Sequence, residues 1–149
     1  MYKMATIIIH KDRAYLPVNA EIEGGPYFVI EPVFEANLQV DSVVSALEKI
    51  LEIGHPKIPA PTKEEMKKRK DPILRATGTT SWDQLAKEGL AYTIYWTPEQ
   101  VILYLSSTDK KGRFSNVGRT QTFSGDVTLT TIVEAVLEDI NARGQMATS

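Results

Sequence analysis

The sequence predicts an α+β fold, a mostly antiparallel sheet built from two βββα-like halves with the two main helices packed on one face. Three observations predict it. β-Branched and aromatic runs of strand length are separated by short turns. Two longer segments each carry a single apolar stripe at helical spacing. Residues 1–54 and 90–143, equal in length, each read as strands followed by one such helix. Each half buries one sheet face and one helix stripe, so a core shared by both is expected rather than two separate domains.

In the first half, Thr6-Ile7-Ile8-Ile9 is a β-branched run bounded by His10-Lys11-Asp12-Arg13, a strand ending in a turn. Residues 14–22 alternate loosely, and Pro17 places that second strand at an edge or a bulge. Gly24-Gly25-Pro26 marks a turn, and Tyr27-Phe28-Val29-Ile30 opens a third strand whose pairing Glu31 and Pro32 limit. Short turns between successive strands imply an antiparallel meander. A helix over residues 42–53 follows, with Asp41 or Ser42 as its cap. Its stripe is Val43, Val44, Leu47, Ile50 and Leu51, Gly54 is its C′ residue, and Pro56 stops it.

Residues 55–80 form a Pro-rich basic connector. Pro56, Pro59 and Pro61 keep its start extended. Thr62 and Glu65 make a capping box for a short helix through Lys70, ended by Asp71-Pro72. Met66 is that helix's only apolar side chain, so the helix is expected to be solvated, marginal or partner-dependent. Ile73, Leu74 and Ala76 are expected to tie the segment back to the core. Residues 81–143 then hold a short helix plus the second βββα half. Ser81 and Gln84 cap the short helix around Trp82, Leu85 and Ala86, and Gly89 closes it. A hairpin joins residues 90–96 to 101–105 through Thr97-Pro98-Glu99-Gln100, and a further strand covers 119–123. The last helix, capped at Thr128, carries Leu129, Ile132, Val133, Val136, Leu137 and Ile140 on one face. Residues 144–149 read as a disordered tail.

The chain has 149 residues, a length that lets a domain bury about 70% of its unfolded surface. Seventeen basic and nineteen acidic side chains leave a net charge of −2, but the sum conceals a partition. Residues 1–54 carry −4, residues 55–80 carry +4 and residues 81–149 carry −2. Cysteine is absent, which removes disulfides, thiolate zinc sites and a cysteine nucleophile. The apolar run Ile7-Ile8-Ile9 is too short for a signal peptide, and no run reaches a membrane span, so a cytoplasmic location with no membrane partner is expected.

Catalytic groups are not evident. The two histidines, His10 and His55, lack metal-ligand spacing. His55 follows a helix C-terminus, where an imidazolium would meet the carbonyl end of the dipole. No phosphate loop, dinucleotide fingerprint or serine elbow occurs, and no cofactor is expected. Glu21 and Glu23 share a strand face and Glu31 is expected across the turn. The trio reads as an acidic surface for a partner, or alternatively as a metal-dependent site. Tyr92, Tyr95 and Tyr104 cluster in the second-half hairpin, where alternation sends Tyr92 and Tyr95 to opposite faces. Exposed tyrosines are frequent interface anchors. Lys67, Lys68, Arg69 and Lys70, together with Lys110, Lys111 and Arg113, are the polyanion-binding alternative, against solvated helix and loop charge. Nucleic acid is the less expected partner because the flanking segments are acidic.

Gly54-His55-Pro56, then Pro59-x-Pro61, then Ala76-Thr77-Gly78 leading into Ser81-Trp82 resemble small bacterial immunity-type proteins encoded with toxin systems, including contact-dependent inhibition. The resemblance covers roughly residues 54–96 and carries over no functional residue. It implies a binder that neutralises an enzyme. The sequence therefore favours a non-catalytic protein-binding module, with a basic toxin domain as the partner that its acidic first half would fit. Self-association stays open.

Overall fold

The computed structural model describes residues 3–23, 25–115 and 118–144. Gly24 of the first turn and residues 145–149 of the expected tail lie outside them. Strands β1 (Lys3–His10), β2 (Arg13–Ile22) and β3 (Tyr27–Asn37) form a meander, and helix α1 (Val40–Ile53) follows. The connector holds β4 (Lys57–Ile58), α2 (Lys63–Lys68) and α3 (Pro72–Thr77). Helix α4 (Trp82–Glu88) leads into β5 (Gly89–Trp96), β6 (Gln100–Tyr104), β7 (Thr120–Ser124) and α5 (Leu129–Ala142). The strands form one sheet of order β3-β2-β1-β5-β6-β7, with β4 added in parallel to β2.

That order is the two-halves expectation made concrete. Each meander runs outward from the centre of the sheet, and the halves meet where β1 and β5 pair antiparallel from Lys3↔Trp96 to His10↔Gly89. Strand alternation sends Ala5, Ile7, Ile9, Leu16, Val18, Tyr92, Ile94, Val101 and Leu103 to one face. There they meet Val43, Leu47 and Ile50 of α1 and Ile132, Val133, Val136 and Ile140 of α5. One core thus crosses both halves, with both long helices on the same face.

The other face carries a smaller core that the sequence did not announce. Ile8 and Tyr15 pack there with Ile73 of α3 and Leu85 of α4, and Val29, Val33 and Phe114 border them. The residues after Asp71 do not simply anchor the chain. They form a helix, because Asp71 accepts the Ile73 amide as a cap and Pro72 occupies the first turn, where its missing N–H is harmless.

Other local expectations sort by their hydrogen bonds. Thr62 and Glu65 form the reciprocal capping box. Ser81 accepts from the Gln84 amide, while the Gln84 side chain turns instead to Thr80. Helix α1 starts two residues earlier than its polar residues suggest. Gln39 is its N-cap without a side-chain bond, Asp41 contributes only first-turn charge, and Val40 packs on the core. Pro17 lies at a register shift against β3, in a strand flanked on both sides, so the bulge and not the edge accommodates it. No helix among the described residues is long and apolar enough to cross a membrane.

His55 corrects its expected role. Its Nδ1 donates to the Asn19 carbonyl at 2.7 Å and its Nε2 accepts the Met4 amide at 3.1 Å. An acceptor at Nε2 requires a neutral ring. The residue pins the connector to β1 and β2 and does not serve a helix dipole.

Candidate protein-binding face

The helices on the second sheet face cover only part of it. Helices α3 and α4 lie over β2, β3 and the start of β5. Farther along, alternation and register bring Met4, Thr93, Tyr95, Ile102, Tyr104 and Thr122 to the same face. Of these only Met4 is buried; the others are half-buried or exposed. The Tyr95 and Tyr104 rings meet edge-to-face at 5.7 Å. Burial pushes the Tyr95 hydroxyl above its ordinary value of 10.0, and the nearby Tyr104 and Tyr27 hydroxyls push it further. Tyr27, at the start of β3, lies 4.5 Å from the His55 ring. Three half-buried tyrosines therefore share one open stretch of sheet. Tyr27 was not singled out from sequence, although its place at the start of a strand opposite Glu21 was the signal.

Tyr92 does not belong to this face. It is fully buried under α5, and its hydroxyl donates to Asp139 at 2.6 Å. Burial, then the Asp139 carboxylate, hold that hydroxyl well above the ordinary tyrosine range. Asp139 also accepts from Arg143 Nε at 2.7 Å and Arg119 Nη2 at 3.4 Å, while Arg143 Nη2 donates to the Ser106 carbonyl at 2.6 Å. This hydrogen-bonded cluster fastens α5 to β5 and to the chain beyond β6.

The three acids separate. Glu21 is exposed, in register with Tyr27 on the tyrosine side, and Glu23 is exposed just beyond β2. Glu31 falls in the irregular stretch of β3 level with Pro17 and Val18, several residues along the strand, and reaches Arg75 at 3.5 Å. The expected juxtaposition across the turn fails because β3 is long and the turn sits at its far end. Among the described residues no group of three His, Asp or Glu side chains could hold a metal ion, so the acids of this hairpin do not form the metal site weighed from sequence.

The basic residues also divide. Lys67, Lys68 and Lys70 are exposed. Arg69 is drawn in, its guanidinium 4.0 Å above the Phe28 ring and hydrogen-bonded to the Val29 carbonyl. Lys110 and Lys111 are exposed at a loop tip, and Arg113 pairs with Asp109 at 3.3 Å. The Arg113 and Lys111 amides lower the Asp109 carboxyl, Arg113 first, so the loop is internally braced. Phe114 meets Trp82 edge-on at 6.3 Å, and Trp82 Nε1 donates to Asp71 at 3.1 Å. The two basic segments thus flank one aromatic seam, with one arginine of each already engaged.

No family model matches the chain, and no curated protein matches it. Several solved chains share its fold. A protein of unknown function from Neisseria meningitidis superposes with a TM-score of 0.62 at 11% identity, over 96% of this chain and 95% of the other. A chain of the CdiA-CT/CdiI toxin and immunity complex from Yersinia pseudotuberculosis gives 0.62 at 10% identity, over 91% and 94%. The likeness is one of fold across nearly the whole chain, in line with the immunity-type resemblance of residues 54–96.

Proposed function

We propose that this chain is a non-catalytic protein-binding module of the immunity type, and that it docks its partner on the open stretch of sheet bearing Tyr27, Tyr95 and Tyr104. The observation that carries this reading is the gathering of three half-buried tyrosines, with Glu21 beside them, on the stretch of the second sheet face that α3 and α4 leave open. Tyrosine supplies large contact area with few rotatable bonds and recurs at the energetic centres of interfaces. Exposed Glu21 and Glu23, with one base, Lys57, in register beside Glu21, leave two acids to one base at the border of that face, which fits a basic toxin domain and would steer its approach. The fold likeness to a chain of a toxin and immunity complex supports the same partner class.

The test is titration calorimetry and stopped-flow association with a toxin domain, sought first among the products of genes beside this protein's own. Replacing both Tyr95 and Tyr104 by Ala is expected to cost about 2 kcal/mol or more of binding. Glu21→Lys with Glu23→Lys should slow association and flatten its salt dependence. Glu31→Lys should change neither, because Glu31 lies away from the tyrosines. Tight binding that ignores the tyrosine and Glu21/Glu23 variants would overturn the assigned face, and the lack of any toxin partner would overturn the function.

A further inference from the structure

Between α3 and the start of α4 lies a cleft of about 570 Å³ that the binding face does not use. Leu74 contributes apolar surface to it, the chain from Gly78 through Thr80 forms one wall, and Lys70, Arg69 and Arg75 add three cations. One carboxylate lines it, Asp71, and both of its oxygens are occupied. Oδ1 accepts the Ile73 amide at 2.8 Å and Oδ2 accepts Trp82 Nε1 at 3.1 Å. Lys70 has no ion-pair partner among the described residues. Arg75 has only Glu31, at 3.5 Å between side chains both more than half exposed, a contact that solvent makes weak.

The amides of the wall offer nothing to a ligand. Those of Gly78 and Thr79 bond back to Arg75 and Leu74, and that of Thr80 bonds Gln84. The donors left for a guest are ammonium and guanidinium groups, which suit oxyanions with several acceptor lone pairs. An apolar floor beside a cationic rim, at this volume, matches a small molecule with a flat or apolar body and one doubly charged end.

We propose that this cleft binds a small phosphate monoester, its phosphate between Lys70 and Arg75 and its body over Leu74, and that the Glu31 carboxylate competes for Arg75. The proposal does not rest on the protein-binding reading, since none of these residues lies on the tyrosine face.

Amide-resolved NMR titration of the whole chain with adenosine monophosphate tests it, with adenosine, sulfate at matched ionic strength and a single-stranded hexanucleotide as separate arms. The nucleotide should shift the Lys70, Arg75, Thr79 and Thr80 amides saturably, while adenosine and sulfate should not. Arg75→Gln, at an exposed position, should weaken binding about tenfold. Glu31→Gln should tighten it about two- to fivefold by freeing Arg75. Sulfate shifts equal to those of the nucleotide, or affinities unmoved by both variants, would overturn the site. A hexanucleotide that binds more tightly and spreads its shifts to Lys110 and Lys111 would overturn the small-molecule assignment in favour of nucleic acid.

Discussion

Asp139 lies in the apolar stripe of α5, three residues after Val136 and four before Arg143, and is 8% exposed. A carboxylate at such a place is tolerable because Tyr92, Arg143 and Arg119 all donate to it. Asp139→Ala strands a buried hydroxyl and an arginine, and is expected to cost about 3 kcal/mol in denaturant unfolding. Tyr92→Phe removes one bond and should cost about 1 kcal/mol. Equal losses would refute this ordering. Asp139 was not singled out from sequence, although it lies at helical spacing from Val136, and no feature of the sequence said which strand residue would meet it. A second paired carboxylate is readable only in the structure. His10, 2% exposed, donates from Nε2 to Glu88 at 2.8 Å and, with Gln84 adding to the effect, lowers the Glu88 carboxyl below its ordinary 4.5. A lowered carboxyl contributes stability above the unfolded value and loses it as pH falls through the folded one. Melting temperatures between about pH 6 and pH 3 should therefore fall further for the native chain than for Glu88→Gln.

Helices α1 and α5 were legible because each carries a full apolar stripe over fourteen residues. The β5–β6 hairpin was legible for the same kind of reason, an alternating run with a clear turn. Helix α3 was not. Six residues hold less than two turns, too few for a period to show, and Pro72 looks like a terminator until the cap at Asp71 makes it a starter. Its stability comes from tertiary burial, chiefly of Ile73, which is fully buried against Ile8 and Tyr15. Ile73→Ala is expected to cost about 2–5 kcal/mol. Hydrogen exchange should quicken in α3 and α4 while the β1–β5 pairing stays protected. Uniform quickening across the sheet would show that the second face is not an independent layer. The strand β4 escaped for a related reason, since two residues cannot display alternation and their pairing with β2 depends on His55 and Pro56 being held first.

At the scale of the molecule, the charge partition read from sequence maps onto places but not onto the sites it suggested. The acidic first half contributes Glu21 and Glu23 to the border of the tyrosine face, while Glu31 crosses to the basic connector. The basic connector supplies Lys70 and Arg75 to a cleft, while Arg69 is spent on Phe28. Composition along the chain could not separate these, because a sheet brings residues three apart to different faces and a long strand carries them to different ends. For the same reason the salt dependence expected of partner binding should track Glu21 and Glu23 alone and not the net charge of the first half.

The pairing of β1 with β5 also sets the order in which this protein can be made. β1 leaves the ribosome well ahead of the eight partners along one of its edges, Gly89 to Trp96, which emerge some eighty residues later. Until then the first meander has a strand edge with nothing beside it and an apolar face lacking α5. Contacts of such sequence separation slow folding and prolong the exposure of that edge. Synthesis rate and early chaperone contact should thus govern the yield of this chain more than the stability of its finished sheet.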